Sequence, residues 1–350
     1  MVLQCIADVE ERALLHSANC NYPPRQLPGR ELLPGVGLVV ARIIHFLPAL
    51  IDGSVAAVYS TARPPIRYEE VGMYHILWFG TGRFGSPMVS RLVESGFAVH
   101  LPRSGHGTES SAALVEAGAH WWSGGAVDLY GLCLPRTADV VQTMDNYPPG
   151  AGVEVLDFST GDPRQASSLL SAAQARGAGY MDCPVSGSAA HGRNGNLTMW
   201  IGSERSSASE PGRQTIDALS QRQFWMGRVG AGFSAKLVNQ VIHILNVAAI
   251  GEGLKLAEAL DLPRDELIES LRHASSTSAM LDRFGAAIAA HDHTAHFRLE
   301  LAAKDIEYAS NILKSFSGVQ TSYIDLLRDD LNTALSRGEG DANFTTFIDN

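Results

Sequence analysis

The alternation of hydrophobic and polar positions changes rhythm twice along the chain. Residues 1–72 carry Pro23-Pro24, Pro28, Pro34, Pro48 and Pro64-Pro65, and no period of 2 or 3.6 persists between them. An irregular or poorly ordered N-terminal extension is expected there. From residue 73 the pattern sharpens. Residues 74–79 (YHILWF) are an apolar run of strand length. Residues 86–95 put Met88, Leu92 and Val93 on one helix face, with Pro87 in the first turn and Gly96 past the end. Further strands are predicted at 97–101, 127–134, 153–158 and 179–183, and helices around 136–144 and over 163–176. Strands alternating with helices of this length predict βαβ units and a parallel sheet.

After Gly230-Ala231-Gly232 the rhythm changes again. Residues 233–260 lack proline and are apolar on most faces, through Leu237, Val241, Ile242, Leu245, Val247 and Ile250. Such a helix runs on the order of 40 Å. Being apolar all round, it is expected to be buried, within the chain or between subunits. Residues 264–350 read as further helices, with one run over 299–313.

Composition then removes several function classes. The chain has 350 residues, 45% of them hydrophobic and 18% charged, which suits about two globular domains. With 37 acidic and 27 basic residues the net charge is -10, so no nucleic-acid partner is expected. Cys5, Cys20, Cys133 and Cys183 are scattered without a C-x-x-C pair, which predicts a reducing, cytoplasmic setting and no cysteine metal framework. The apolar stretch 36–59 is broken by Arg42, His45, Pro48 and Asp52, so no membrane anchor is expected. Lysine is scarce. Of the 27 basic residues only Lys236, Lys255, Lys304 and Lys314 are lysines, which draws attention to each.

Gly80-Thr81-Gly82-Arg83-Phe84-Gly85 is a G-x-G-x-x-G run between a predicted strand and a predicted helix. In that context the glycines allow a sharp turn and close backbone approach, and the helix N-terminus faces a pyrophosphate. The next strand ends in Pro102-Arg103-Ser104 with no acid before Glu109. An acid there would bind a ribose 2′-hydroxyl, whereas Arg103 and Ser104 suit a 2′-phosphate, so NADP is expected over NAD, with NAD possible. Ser186 and Gly187, after the strand at 179–183, either offer a hydroxyl and open N–H groups to a carboxylate or form an ordinary glycine-rich loop. Lys236 lies in an apolar helical stretch, where burial would lower its pKa and fit it for proton transfer. Asn239 and Gln240, one turn on, would bond substrate oxygens or merely the helix surroundings. Lys304-Asp305 also reads as a solvated charge pair. His291, His293 and His296 flank Asp292 without an i,i+4 spacing, so no metal is expected.

In order along the chain, GTGRFGSPM (80–88), Leu134-Pro135, DFSTGDP (157–163), DCPVSGS (182–188), GNLTMWIG (195–202), GAGFSAKLVNQ (230–240) and Lys304-Asp305 resemble the β-hydroxyacid dehydrogenase family. The resemblance covers about residue 74 to the C-terminus. It implies a Rossmann domain over 73–231, a long connecting helix, and an all-α domain over 232–350, as in 6-phosphogluconate dehydrogenase-like proteins. It implies cofactor contacts at residues 80–85, Leu134, Pro135, Thr160 and Lys304, and substrate carboxylate contacts at Ser186 and Gly187. It further implies Lys236 as the catalytic lysine, with Asn239 and Gln240 as its polar partners, and a homodimer or homotetramer formed through the helical domain. The activity implied is hydride transfer between NAD(P) and a small hydroxy acid. An imine reductase or a non-catalytic NADP-binding scaffold is the alternative, and Lys236 counts against both.

Overall fold

The computed structural model describes residues 74–103, 108–294, 297–320 and 322–349. The expectation for residues 1–72, and Ser104 and His296, lie outside the described residues.

The strands expected from the apolar runs form as β1 (His75–Phe79), β2 (Ala98–Leu101), β4 (Leu129–Leu132), β5 (Glu154–Asp157) and β6 (Gly179–Asp182). A short β3 (His120–Trp121) that the pattern did not announce joins them. The six pair in parallel in the order β3-β2-β1-β4-β5-β6. Helices α1 (Gly85–Glu94), α2 (Thr108–Glu116), α3 (Thr137–Asn146) and α4 (Ala166–Gln174) are the crossovers. Successive side chains of a strand point to opposite faces, and here both faces are covered. Ile76 and Trp78 therefore enter one core with Met88, Val89 and Leu92. Leu77 and Phe79 enter another with Val140, Met144 and Leu169. That double burial explains why β1 reads as a continuous apolar run.

The chain order reverses between β1 and β4, and open α/β sheets bind ligands at such a switch point. The sheet also has a local constraint there: a Cβ at Gly131 would overlap the buried Trp78 ring, so only glycine fits opposite that indole.

After β6 the chain makes β7 (Val185–Ser186), α5 (Ala189–Arg193), β8 (Thr198–Ile201), α6 (Glu210–Leu219) and β9 (Arg222–Trp225). These strands form a second, three-stranded sheet in which β7 runs antiparallel to β8. The hydrophobic pattern does not announce this sheet, whose strands are two, four and four residues long.

The helical part consists of α7 (Ala231–Ala259), α8 (Arg264–Arg272), α9 (Ala279–Ala289), α10 (Leu299–Lys314) and α11 (Ser322–Ser336). By length and composition α7 would suffice to cross a membrane. In the fold it packs on β8, α9 and α10. Phe233, Leu237, Gln240, Ile244, Val247, Gly251 and Leu254 form its buried stripe. Complete burial, expected from its all-round apolarity, is not what the chain provides: Val238 and Ile242 are exposed at 62% and 57%. A single helical layer on each side covers a stripe and leaves the opposite face open.

Candidate functional site

The turn after β1 is built by exclusion of side chains. Gly80 has φ +95, and a Cβ there would overlap the carbonyl oxygen of Cys133 at the end of β4. A Cβ at Gly85 would overlap the carbonyl of Gly80, so the third glycine sets the close approach of α1 to the turn. Gly82 is different, with nothing within 4 Å of where its Cβ would be. That open position lies at the start of α1, whose N-terminus has no side-chain cap. Uncapped N–H groups and the positive end of the helix dipole suit a pyrophosphate. Thr81 is turned away: it is buried, and its Oγ1 is 2.8 Å from Ser111 Oγ on α2. Arg83 is exposed and Phe84 half-buried at the same turn.

Arg103 projects beyond the end of β2 with its guanidinium carbon 5.4 Å from the centroid of the Trp121 ring. Trp121 ends the neighbouring β3, in register with Leu101. A flat cation over an indole is held electrostatically while its edge stays free. This guanidinium is exposed beyond the end of β2, the strand that pairs with β1.

A second group of expected residues converges at the ends of β4 and β5. Lys304, on α10, is almost completely buried, and its Nζ donates to Pro135 O at 2.9 Å and Thr160 O at 2.6 Å. Leu134 N, next to Pro135, donates to Ser159 Oγ, next to Thr160. Leu134, Pro135, Thr160 and Lys304 are thus one contiguous structure. Lys304 also forms a 3.1 Å ion pair with the buried Asp305.

Asp305 leads to α7. Its Oδ2 accepts from Gln240 Nε2 at 2.7 Å, and Gln240 Oε1 accepts from Asn239 Nδ2 at 3.1 Å. Gln240 is therefore bonded between helices. Lys236, one turn before, is buried at 7% exposure and has no hydrogen-bond partner among the described residues. Burial lowers its pKa to about 8; Asp305 opposes that shift and Lys304 adds to it. A lysine so placed carries both protonation states near neutral pH. Asp305 was visible in sequence only as the residue after Lys304. Its importance comes from a contact 65 positions back along the chain.

The start of α7 is set by the first residue of the DCPVSGS motif, to which the sequence assigned no role of its own. Asp182, at the end of β6, accepts from Gly230 N and Phe233 N, each at 2.7 Å. A Cβ at Gly202 or Gly232 would run into this carboxylate. Burial raises the Asp182 pKa to about 6 despite the two N–H donors. The Phe233 ring fills the space that a Cβ at Gly161 would need. Lys236 is thus carried on a helix end fixed to the β5 and β6 loops.

Ser186 and Gly187 close β7, half-buried, with Gly187 at φ +142. No hydrogen bond joins them to Lys236 among the described residues. Ser188, which follows, caps α5 by accepting from His191 N. The late histidines meet Asp349. His291 Nδ1 is 3.3 Å from Asp349 Oδ1 and His293 Nε2 is 2.6 Å from Oδ2. Arg264, which only donates, lies 3.1 Å from His291 Nε2, placing the proton on Nδ1 toward Asp349. His291, His293 and Asp349 thereby bring ligand atoms within 4.8 Å of one another.

Two family models match in tandem: the NAD binding domain of 6-phosphogluconate dehydrogenase over residues 75–227, and NAD-binding of NADP-dependent 3-hydroxyisobutyrate dehydrogenase over residues 230–349. The chain belongs to the β-hydroxyacid dehydrogenase family. Its activity class is NAD(P)-dependent hydroxyacid dehydrogenase, with a nicotinamide dinucleotide as cofactor. The chain is 27% identical over 244 residues to 2-(hydroxymethyl)glutarate dehydrogenase of Eubacterium barkeri, covering 66% of this chain and 80% of that protein. It is 28% identical over 308 residues to the chloroplastic glyoxylate/succinic semialdehyde reductase 2 of Arabidopsis thaliana, covering 83% and 84%. Its fold is that of Mycobacterium tuberculosis 3-hydroxyisobutyrate dehydrogenase, solved with L-serine, at a TM-score of 0.70 and 20% identity, covering 79% of this chain and 99% of that one.

Proposed function

We propose that this family member interconverts a small hydroxy acid and its semialdehyde, using NADP(H) in preference to NAD(H), with Lys236 as general acid and base. The observation carrying this reading is a buried lysine without a hydrogen-bond partner among the described residues, its pKa lowered to about 8, beside the Asp305–Lys304 pair. When bound, the nicotinamide supplies or accepts the hydride. The turn at Gly82 and the N-terminus of α1 would hold the pyrophosphate, and Arg103 the 2′-phosphate.

In oxidation the neutral Lys236 Nζ takes the hydroxyl proton as the carbinol carbon loses its hydride. In reduction the ammonium returns that proton and stabilises the developing alkoxide, an effect worth several kcal/mol at about 3 Å in a dry site. Ser186 and Gly187 hold the substrate carboxylate away from the reacting carbon. The relatives named above act on 2-(hydroxymethyl)glutarate and on glyoxylate or succinic semialdehyde. Each compound joins a carboxylate to a nearby primary alcohol or aldehyde, which supports the substrate class. The exposed Val238 and Ile242 on α7, with Tyr323 and Leu326 on α11, support a homo-oligomer formed through the helical part.

NADPH oxidation over a panel of small semialdehydes tests the reading. Wild type should consume NADPH with at least one of them. Lys236→Ala should reduce kcat by about 10³-fold, the loss expected of a general acid, while NADPH still binds. Undiminished kcat in the variant overturns the assignment.

A further inference from the structure

Three side chains able to ligate a metal converge far from Lys236. His291 follows α9, His293 stands two residues on, and Asp349 ends the 3₁₀ turn Phe344–Asp349. Spacing among the late histidines alone predicts no metal, because the third group stands 58 and 56 positions further along the chain. The fold closes that gap and gathers the ligand atoms within 4.8 Å. An ion at about 2.0–2.1 Å from each would hold them roughly 3.3 Å apart in a tetrahedral site, so side-chain shifts of about 1 Å complete it.

His293 is the best held of the three, with a side chain only 15% exposed. Its Nδ1 is 2.9 Å from Thr345 Oγ1, which accepts from Asn343 Nδ2 at 2.7 Å. Thr345 and Asn343 are both buried. Metal-bound histidines use such a partner on the second ring nitrogen to fix their orientation. With Nδ1 so engaged, Nε2 faces Asp349 Oδ2 at 2.6 Å. A ring nitrogen and a carboxylate oxygen that close must share a proton or a cation. His291 completes the group from the solvent side, 57% exposed, with Nδ1 3.3 Å from the other carboxylate oxygen. Its φ of +51 is more natural to glycine just past a helix, yet a glycine would bring no imidazole.

His291 and Asp349 also line an open cleft of about 340 Å³, with Lys255 and Glu258 of α7 and Arg264 of α8. A water has room there as a fourth ligand. Arg264 is the competing cation. Its Nη1 is 3.1 Å from His291 Nε2, but it also donates to Ala289 O at 2.9 Å and pairs with Glu258 at 2.9 Å. It can therefore release the imidazole when the His291 proton moves from Nδ1 to Nε2.

We infer that His291, His293 and Asp349 bind a divalent transition-metal ion, zinc by preference, which ties the loop after α9 to the C-terminal turn. Two imidazoles and a carboxylate suit zinc, whereas magnesium and calcium favour oxygen ligands. Gly251, where α7 first meets the cleft, lies about 22 Å along the helix from Lys236 at 1.5 Å per residue. The ion is thus structural and apart from the proton-transfer chemistry above.

The test is zinc titration of the full chain, stripped with a chelator and then freed of it, followed by calorimetry and thermal unfolding. Wild type should bind zinc with a Kd of about 1 µM or tighter. Zinc at about 100 times Kd should raise Tm by roughly 3 °C or more, and magnesium should not. Asp349→Asn and His291→Ala, both at exposed positions, should each weaken zinc by at least about tenfold and remove most of the Tm shift. Arg264→Gln takes away the competing charge and should tighten zinc severalfold. No zinc binding in wild type, or the same Kd in wild type and Asp349→Asn, overturns the inference. Weaker binding in Arg264→Gln overturns ligation through His291 Nδ1.

Discussion

At the β1–α1 turn the groups that would meet a ligand are backbone atoms, and side chains are kept out. A Cβ at Gly80 or Gly85 would strike a carbonyl oxygen, while the position at Gly82 is open. Along α7 and α10 the reverse holds. Lys236, Gln240, Lys304 and Asp305 are long polar side chains, all buried, and three of them satisfy one another or the ends of β4 and β5. The first region offers a ligand the shape that three glycines make available. The second holds charge that the fold must desolvate and then position. A backbone cradle is robust to everything except an added atom, whereas a buried charge network fails when any member is shortened.

The sharpest way to break the comparison is to add one methyl group to the cradle. Gly85→Ala drives a Cβ into Gly80 O and should cost more than about 3 kcal/mol or abolish cofactor binding outright. Thermal unfolding and NADPH titration measure this, and a variant with wild-type values would show that the turn tolerates a side chain. Gly82→Ala is the internal control, since its Cβ meets nothing within 4 Å of the protein. It should fold normally and lose affinity only for the dinucleotide.

Asp182→Asn should be the next largest effect. One of the two N–H bonds at the start of α7 loses its acceptor, at about 1–3 kcal/mol at pH 7. The pH dependence has a defined sign. The folded pKa of about 6 lies above the unfolded value near 3.9, so the folded protein holds this proton more tightly. The wild-type contribution is therefore greatest below about pH 4 and declines as pH rises to about 6. Urea unfolding at several pH values should show that slope in wild type and a flatter one in the variant. Equal slopes would mean that Asp182 does not titrate in this window.

Arg103→Ala belongs to the cradle side and should act more gently. Loss of one charge-assisted phosphate contact should weaken NADPH by roughly tenfold, with NADH little affected. Equal losses for both dinucleotides would contradict the 2′-phosphate assignment.

The contrast between the two regions also explains what could be read from the chain. The glycine cradle is local: strand, turn and helix follow one another within 20 residues, so G-x-G-x-x-G in a βαβ setting was sufficient. The apolar runs gave β1, β2, β4, β5 and β6 because both faces of the sheet are covered. Short elements with little pattern escaped, including β3, whose Trp121 supports Arg103, and the antiparallel β7. Lysine scarcity drew attention equally to all four lysines, and the surroundings that set Lys236 and Lys304 apart were hidden. Asp182 reaches α7 from 48 residues away, and Gln240 turns to Asp305 across 65. No local spacing encodes contacts of that range. The all-round apolarity of α7 suggested complete burial, yet one chain covers a stripe only.

The central claim is that Lys236 moves the proton. Its most direct test is the pH profile of kcat in both directions for the wild-type enzyme, with Lys236→Arg as reference. With a lysine pKa of about 8, oxidation should rise and reduction should fall through one inflection near that pH. The arginine variant, charged throughout, should lose the oxidative activity and the inflection together. Profiles that are flat between pH 6 and 10 in wild type, or an unchanged inflection in the variant, would contradict the account.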